Sequence, residues 1–133
     1  MGTTVKHDGH QRLCRNADDG RLLLRRVHHA TDVWPRTKGL LGRRTMPPDE
    51  GLWIDPCRAI HTMGMAFTID LVWLDADCRV VGTTRGVPPW RPLVRGPRGT
   101  RSVIEVAAGS DVLDAVAAGD RLAFEPEDAP TGE

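Results

Sequence analysis

Apolar positions in this chain come in short bursts separated by proline, glycine and charged residues, and most bursts have the length of one strand. Leu22, Leu23, Leu24 and Val27 form the first such run. After the break at Pro47-Pro48, residues 51–54 and 59–61 read as two further strands. Residues 69–74 and 79–84 predict a hairpin closed by Asp75-Ala76-Asp77-Cys78, a four-residue loop suited to a type I turn. Residues 101–106 and 121–124 supply two more strands.

Two segments carry helix signals instead. Thr31 caps a helix with Asp32 and Pro35 in its first turn, where proline's missing N–H costs nothing. Val33, Trp34, Thr37, Leu40 and Leu41 then share one face, and Gly42, Arg43 and Arg44 suit its end. Ser110 caps a second helix that runs to Ala117 or Ala118 and stops at Gly119. Residues 1–20 have no usable period and read as a flexible segment or an edge strand. Residues 125–133 form an acidic, proline-bearing tail expected to be disordered. The sum is a mainly-β sandwich or barrel over residues 21–124, a single domain with two short peripheral α-helices.

Composition narrows this little. The 133 residues suit one domain, and Lys+Arg equals Asp+Glu at 18 each, so bulk charge selects no partner and argues against nucleic acid. No apolar run approaches the roughly 18 residues of a membrane span. The polar N-terminus and the odd set Cys14, Cys57 and Cys78, with no Cys-x-x-Cys pair, point to reduced thiols in the cytoplasm.

Chemistry concentrates in two places. The run from Ile60 to Asp70 puts His61, Met63, Met65 and a lone acid at the mouth of an apolar strand. With Cys57, and with Cys78 as a further donor, His61, Met63 and Met65 make a soft-metal set, since alternate residues of an extended segment face one side. Against this, methionines fill core gaps, and Gly64 signals a bend. Asp70 pairs with His61 as an acid–base couple, or else accepts N–H bonds or pairs with a cation such as Arg43 to pin the fold. Cys57, beside Arg58, lacks the oxyanion or nucleophile motif that catalysis would require.

The second place is the loop over residues 85–101, which holds Arg85, Arg91, Arg95, Arg98, Arg101 and Trp90 and no acid. Arginines beside an exposed indole suit a polypeptide, a glycan or an anion; a solvated loop balanced by the acidic tail is the plainer alternative. Trp34, Trp53 and Trp73 sit in apolar elements and are expected in or near the core, whereas Trp90 lies between prolines and is expected outside. A second basic cluster, Arg36, Lys38, Arg43 and Arg44, surrounds Gly39, which signals close packing; no phosphate-loop pattern occurs.

Four blocks together resemble the bacterial and archaeal family called domain of unknown function 192 (DUF192). They are Arg36-Thr37-Lys38-Gly39-Leu40-Leu41-Gly42-Arg43; Met46-Pro47-Pro48-Asp49-Glu50-Gly51-Leu52; His61-Thr62-Met63-Gly64-Met65 with Ile69-Asp70 and Leu74-Asp75; and Ile104-Glu105-Val106-Ala107-Ala108-Gly109 with Gly119-Asp120-Arg121-Leu122. The resemblance spans residues 22–124. It implies a compact, jelly-roll-like β-sandwich and no established activity, cofactor or substrate; some relatives look exported. Many relatives carry Trp-Met-x-Asn-Thr where this chain has His61 to Met65, and the hairpin loop usually ends in glycine where Cys78 stands. A non-glycine there forces another turn or a positive φ.

The functional expectation is a non-catalytic binding or accessory module without a cofactor, its groove bordered by residues 61–65 and 85–101. Trp90 stacks, Arg91 and Arg95 contact an anion, Met63 and Met65 line the groove, and His61 and Asp70 orient. The competing classes are a hydrolase- or isomerase-like enzyme using His61 and Asp70, and a soft-metal carrier.

Overall fold

A computed structural model describes residues 7–30 and 43–126. Among the described residues nine strands form in chain order: β1 (His7–Asn16), β2 (Leu22–Ala30), β3 (Glu50–Ile54), β4 (Ala59–Ile60), β5 (Ile69–Leu74), β6 (Val80–Val87), β7 (Val94–Arg95), β8 (Ser102–Ala107) and β9 (Leu122–Pro126), with one short helix, α1 (Val112–Ala115), before the last. Seven strands make one sheet in the order β6-β5-β8-β3-β2-β1-β9, and β4 and β7 form a separate two-stranded ribbon. The mainly-β expectation holds. The helix expected over residues 31–42, its residues Trp34 and Gly39, and residues 127–133 of the expected tail lie outside the described residues, whereas Glu125 and Pro126, expected in that tail, extend β9 by pairing with Leu13 and Arg12.

Neighbouring strands in the large sheet are antiparallel except β2 and β3, which run parallel with Arg26 opposite Glu50 and Ala30 opposite Ile54. A parallel pair requires a crossover of a dozen or more residues; the chain between Ala30 and Glu50 supplies it. Rather than fraying or sitting at an edge, β1 lies inside the sheet, paired with β2 on one side and β9 on the other. Its polar sequence hid it: at its C-terminal end Cys14 and Asn16 are buried, while Arg15 between them is only partly so. Burial pushes the Cys14 thiol up to about 12, with the nearby Cys78 adding to the rise.

β5 is buried at every position. The large sheet is covered on both faces, so the usual alternation disappears. Ile69, Leu71 and Trp73 join one core with Leu52, Ile54, Ile60 and Met65. Val72 and Leu74 join the other with Leu24, Ile104, Val112 and Leu113. The β4–β7 ribbon and the 61–68 loop cover the first face, and α1 covers part of the second. The sheet curls until its edges touch: Arg79 bridges Arg121, the Val80 N–H donates to the Asp120 carbonyl at 2.8 Å, and the Leu122 N–H donates to the Cys78 carbonyl at 2.9 Å. That stitch stops short of a closed barrel. No helix among the described residues is long and apolar enough to cross a membrane.

Local chemistry explains the remaining differences. α1 is one turn, shorter than the helix expected from Ser110. The Asp120 carboxylate accepts the Ala117 N–H at 2.9 Å and so draws the chain out of helix after Ala115. In the β5–β6 hairpin, the Cys78 N–H returns to the Asp75 carbonyl at 3.0 Å and Cys78 takes φ 63°, the left-handed geometry usually given to glycine.

Glu50 anchors the parallel junction. Its carboxylate is 7% exposed and accepts two bonds from Arg43, at 2.9 and 3.2 Å, with His28 Nε2 at 3.0 Å. Burial pushes this carboxyl up, but the Arg43 guanidinium and His28 outweigh it and hold it below its ordinary 4.5. A depressed carboxyl stabilises the fold above the unfolded value, and that contribution is lost as pH falls through the folded one. Glu50→Gln is expected to cost ~2 kcal/mol at pH 7, below the full penalty of a broken buried pair because Arg43 still reaches water. In urea melts at pH 7, 5 and 3, the gap between wild type and variant should shrink toward the acid end; a constant gap would show that the charge is immaterial.

Candidate functional site

The 61–65 segment is tied down by Thr62, which is fully buried. Its N–H donates to the Arg91 carbonyl at 2.9 Å and its carbonyl accepts the Trp90 N–H at 2.8 Å. Its hydroxyl donates to the Pro88 carbonyl at 2.7 Å and accepts the Arg91 N–H at 2.9 Å. One residue thus staples residues 88–91 to residues 61–65. Just beyond, Gly64 takes φ 84° and the Met65 N–H returns to the Thr62 carbonyl at 3.1 Å.

That turn spoils the alternation. Met63 emerges at 41% exposure while Met65 sinks to 2%. His61 is half-buried, and its Nδ1 accepts the Met63 N–H at 3.2 Å. Cys57 is buried, with its thiol donating to the Ala59 carbonyl at 3.0 Å. The proposed soft-metal donors therefore face different ways, and no cluster of three His, Cys, Asp or Glu suited to a metal occurs among the described residues.

Asp70 is 2% exposed. Its Oδ1 accepts the Gly86 N–H at 2.7 Å and its Oδ2 the Gly109 N–H at 3.1 Å. Both glycines have positive φ, 68° and 83°. The carboxylate clips the end of β6 to the turn after β8, with both oxygens occupied by backbone. Arg43 turns to Glu50 instead. The geometry does not bring His61 and Asp70 together.

The arginine loop divides. Arg85 pairs with Asp114 at 2.6 Å and Arg101 with Asp55 at 3.0 Å. Arg91, Arg95 and Arg98 are exposed and have no ion-pair partner among the described residues. Arg95 and Arg98 meet Arg58 and Arg101 around a cleft of about 490 Å³, with Gly96 and Ala76 also in its wall. Arg58 likewise has no ion-pair partner among the described residues. Among the described residues no carboxylate lines the cleft, although Asp55 holds Arg101 from outside it.

Backbone contacts with the core make this cleft rigid. The ribbon pairs Ala59 with Arg95 and Ile60 with Val94. The Gly96 N–H donates to the Arg58 carbonyl at 2.9 Å, the Cys57 N–H to the Arg101 carbonyl at 2.7 Å, and the Arg101 N–H to the Leu74 carbonyl at 2.7 Å. Gly96 lies so close to Trp73 that an added Cβ would stand 2.6 Å from the ring. Trp73 is fully buried and its Nε1–H donates to Thr84 Oγ1 at 2.9 Å.

Trp90 is 63% exposed and has φ 71°; with Leu93 at 54% and Met63 it forms the large apolar exposure of the described surface. Trp73 is in the core, and Trp53 is half-buried against the second core and stacks between His29 and Phe124 at 4.2 and 3.7 Å. Of the expected ligand contacts, only Arg95 lines the cleft; Trp90 and Arg91 sit at the Thr62 end of the ribbon. Arg58 escaped the sequence reading because its link to Arg95 depends on a β4–β7 pairing across more than thirty residues. A basic residue beside Cys57-Pro56 was its only local signal.

No curated protein matches the chain. Solved structures similar to it include the following two. A protein of Sinorhizobium meliloti 1021, described as a candidate transcription regulator, is 24% identical over 92% of this chain and 98% of its own, with a TM-score of 0.74. A protein of unknown function from Novosphingobium aromaticivorans DSM 12444 is 17% identical over 85% of this chain and 83% of its own, with a TM-score of 0.70. At these identities the likeness concerns the fold alone. The DUF192 family, described as an uncharacterized ACR, matches residues 14–124, and this chain belongs to it.

Proposed function

We propose that the protein is a non-catalytic binding module, set in the cytoplasm, that captures an anionic ligand in the Arg58–Arg95–Arg98–Arg101 cleft. The observation that carries this reading is the gathering of four guanidiniums from two chain segments around one concavity, three of them without an ion-pair partner among the described residues. Like charges held together on a rigid frame repel, and a bound anion relieves that repulsion. Arginine's planar fork suits carboxylate and phosphoryl oxygens, so bidentate capture is the expected mode. The backbone bonds that fix the cleft keep its ordering cost low on binding. Asp70 supports this reading as a pin for the scaffold, and His61 as a polar neighbour on the ribbon.

Calorimetric titration with pyrophosphate and with citrate tests it. Both are expected to bind saturably, and more weakly as salt rises. Arg95→Glu should weaken them at least ~30-fold, in line with the loss of a charge-assisted contact and the gain of a repulsive one. Equal binding by wild type and variant would remove the cleft from the function.

A further inference from the structure

We propose that the cleft and the Met63–Trp90–Leu93 patch form one continuous docking face for an extended acidic segment of a partner polypeptide that also carries an apolar residue. This rests on the anion-binding reading of the cleft and adds the class of partner.

The β4–β7 ribbon joins the two features. Along it, Ile60, Thr62 and Val94 turn toward the core, leaving Leu93, Arg95, Ala59 and His61 on the outer side. Thr62 is bonded to Arg91 at one end, and Arg58 accepts the Gly96 N–H at the other. Thr62 lies four residue steps from Arg58, about 13 Å of extended chain. An extended peptide of four or five residues therefore reaches from the apolar end to the arginines.

The apolar end is built for presentation. Trp90 sits in left-handed backbone geometry, which is costly for a bulky residue, and both its own N–H and that of Arg91 are fixed by Thr62. A large side chain held outward on a strained, stapled turn loses little entropy when it is covered. Trp, Met and Arg are residue types enriched at interfaces, and Leu93 adds apolar area beside them. Charge complementarity selects an acidic partner, since Arg58, Arg91, Arg95 and Arg98 are exposed with no ion-pair partner among the described residues. The concave cleft beside the raised indole fits protruding carboxylate side chains better than the flat face of a bilayer.

The test uses the full chain and two labelled peptides. Each has four consecutive glutamates, then three serines, then a leucine in one and a fourth serine in the other. Fluorescence anisotropy is expected to give about tenfold tighter binding of the leucine peptide. Trp90→Ala and, separately, Leu93→Ser should each shrink that preference while leaving pyrophosphate affinity unchanged; both side chains are exposed, and unaltered melting curves confirm intact folding. Arg95→Glu should weaken both peptides. Equal affinity for the two peptides overturns the joint face. So does co-sedimentation with phosphatidylglycerol vesicles when both peptides are ignored, which would reassign the patch to a lipid surface. If pyrophosphate binds while neither peptide does, this inference fails and the anion-binding reading stands; if none binds, both fail.

Discussion

Gly96→Ala is expected to lower the melting temperature by about 10 °C and to weaken pyrophosphate binding in the same variant, a loss of ~3 kcal/mol being at the upper end for a single overpacked methyl group. The added methyl would stand 2.6 Å from Trp73 Cε3 and 2.6 Å from Thr100 Oγ1. Trp73 cannot swing aside, because its ring is fully buried among Leu71, Ile54 and Val103 and its Nε1–H is held by Thr84. Thr100 is also committed, its hydroxyl donating to the Pro97 carbonyl at 2.7 Å. The backbone of residues 95–97 must therefore lift, which strains the Gly96–Arg58 hydrogen bond and moves Arg95 away from Arg58. Gly99→Ala is the control: its Cβ meets nothing within 4 Å, and only its φ of 91° opposes the change. That variant should cost ~1–2 kcal/mol. If Gly96→Ala melts like wild type, the cleft is not braced by the core.

Asp70→Asn should destabilise by ~3 kcal/mol and leave pyrophosphate affinity at the cleft unaltered. The native carboxylate accepts from Gly86 and Gly109, one N–H per oxygen. An asparagine can satisfy only one of them, and its NH₂ then faces the other donor in a site closed to water. Both donors are glycines in left-handed backbone, so losing either bond releases a turn that Asp70 holds. Thermal melting and calorimetry on the same sample separate stability from binding. A variant that folds normally but no longer binds would make Asp70 a functional residue and return the acid–base reading to consideration.

Much of the fold was legible from local signals. The β5–β6 hairpin follows from an apolar run, an Asp-Ala-Asp-Cys loop and a second run, and Cys78 takes the positive φ that its place in that loop requires. Asp70 was readable as a pin, since a lone acid inside an apolar strand must find donors. Trp73 inside and Trp90 outside followed from their neighbours. The family blocks fell within the matched residues 14–124.

Other features were hidden because their causes lie far away in sequence. β1 looks polar, yet it is an interior strand between β2 and β9, and Cys14 with Asn16 buried around Arg15 leaves a weak apolar signal. Met63 and Met65 shared a face on paper until Gly64 turned the chain between them. Arg58 became a cleft residue only when β4 met β7.

Strand identity, turn geometry and the need to satisfy a buried charge are short-range matters of sterics and hydrogen bonding, so the order of residues was enough to state them. Which arginines share a cavity, which methionine meets solvent and which strand ends inside the sheet depend on pairings between segments tens of residues apart. Those pairings form where burial of both sheet faces is most complete, and no local pattern encodes that sum.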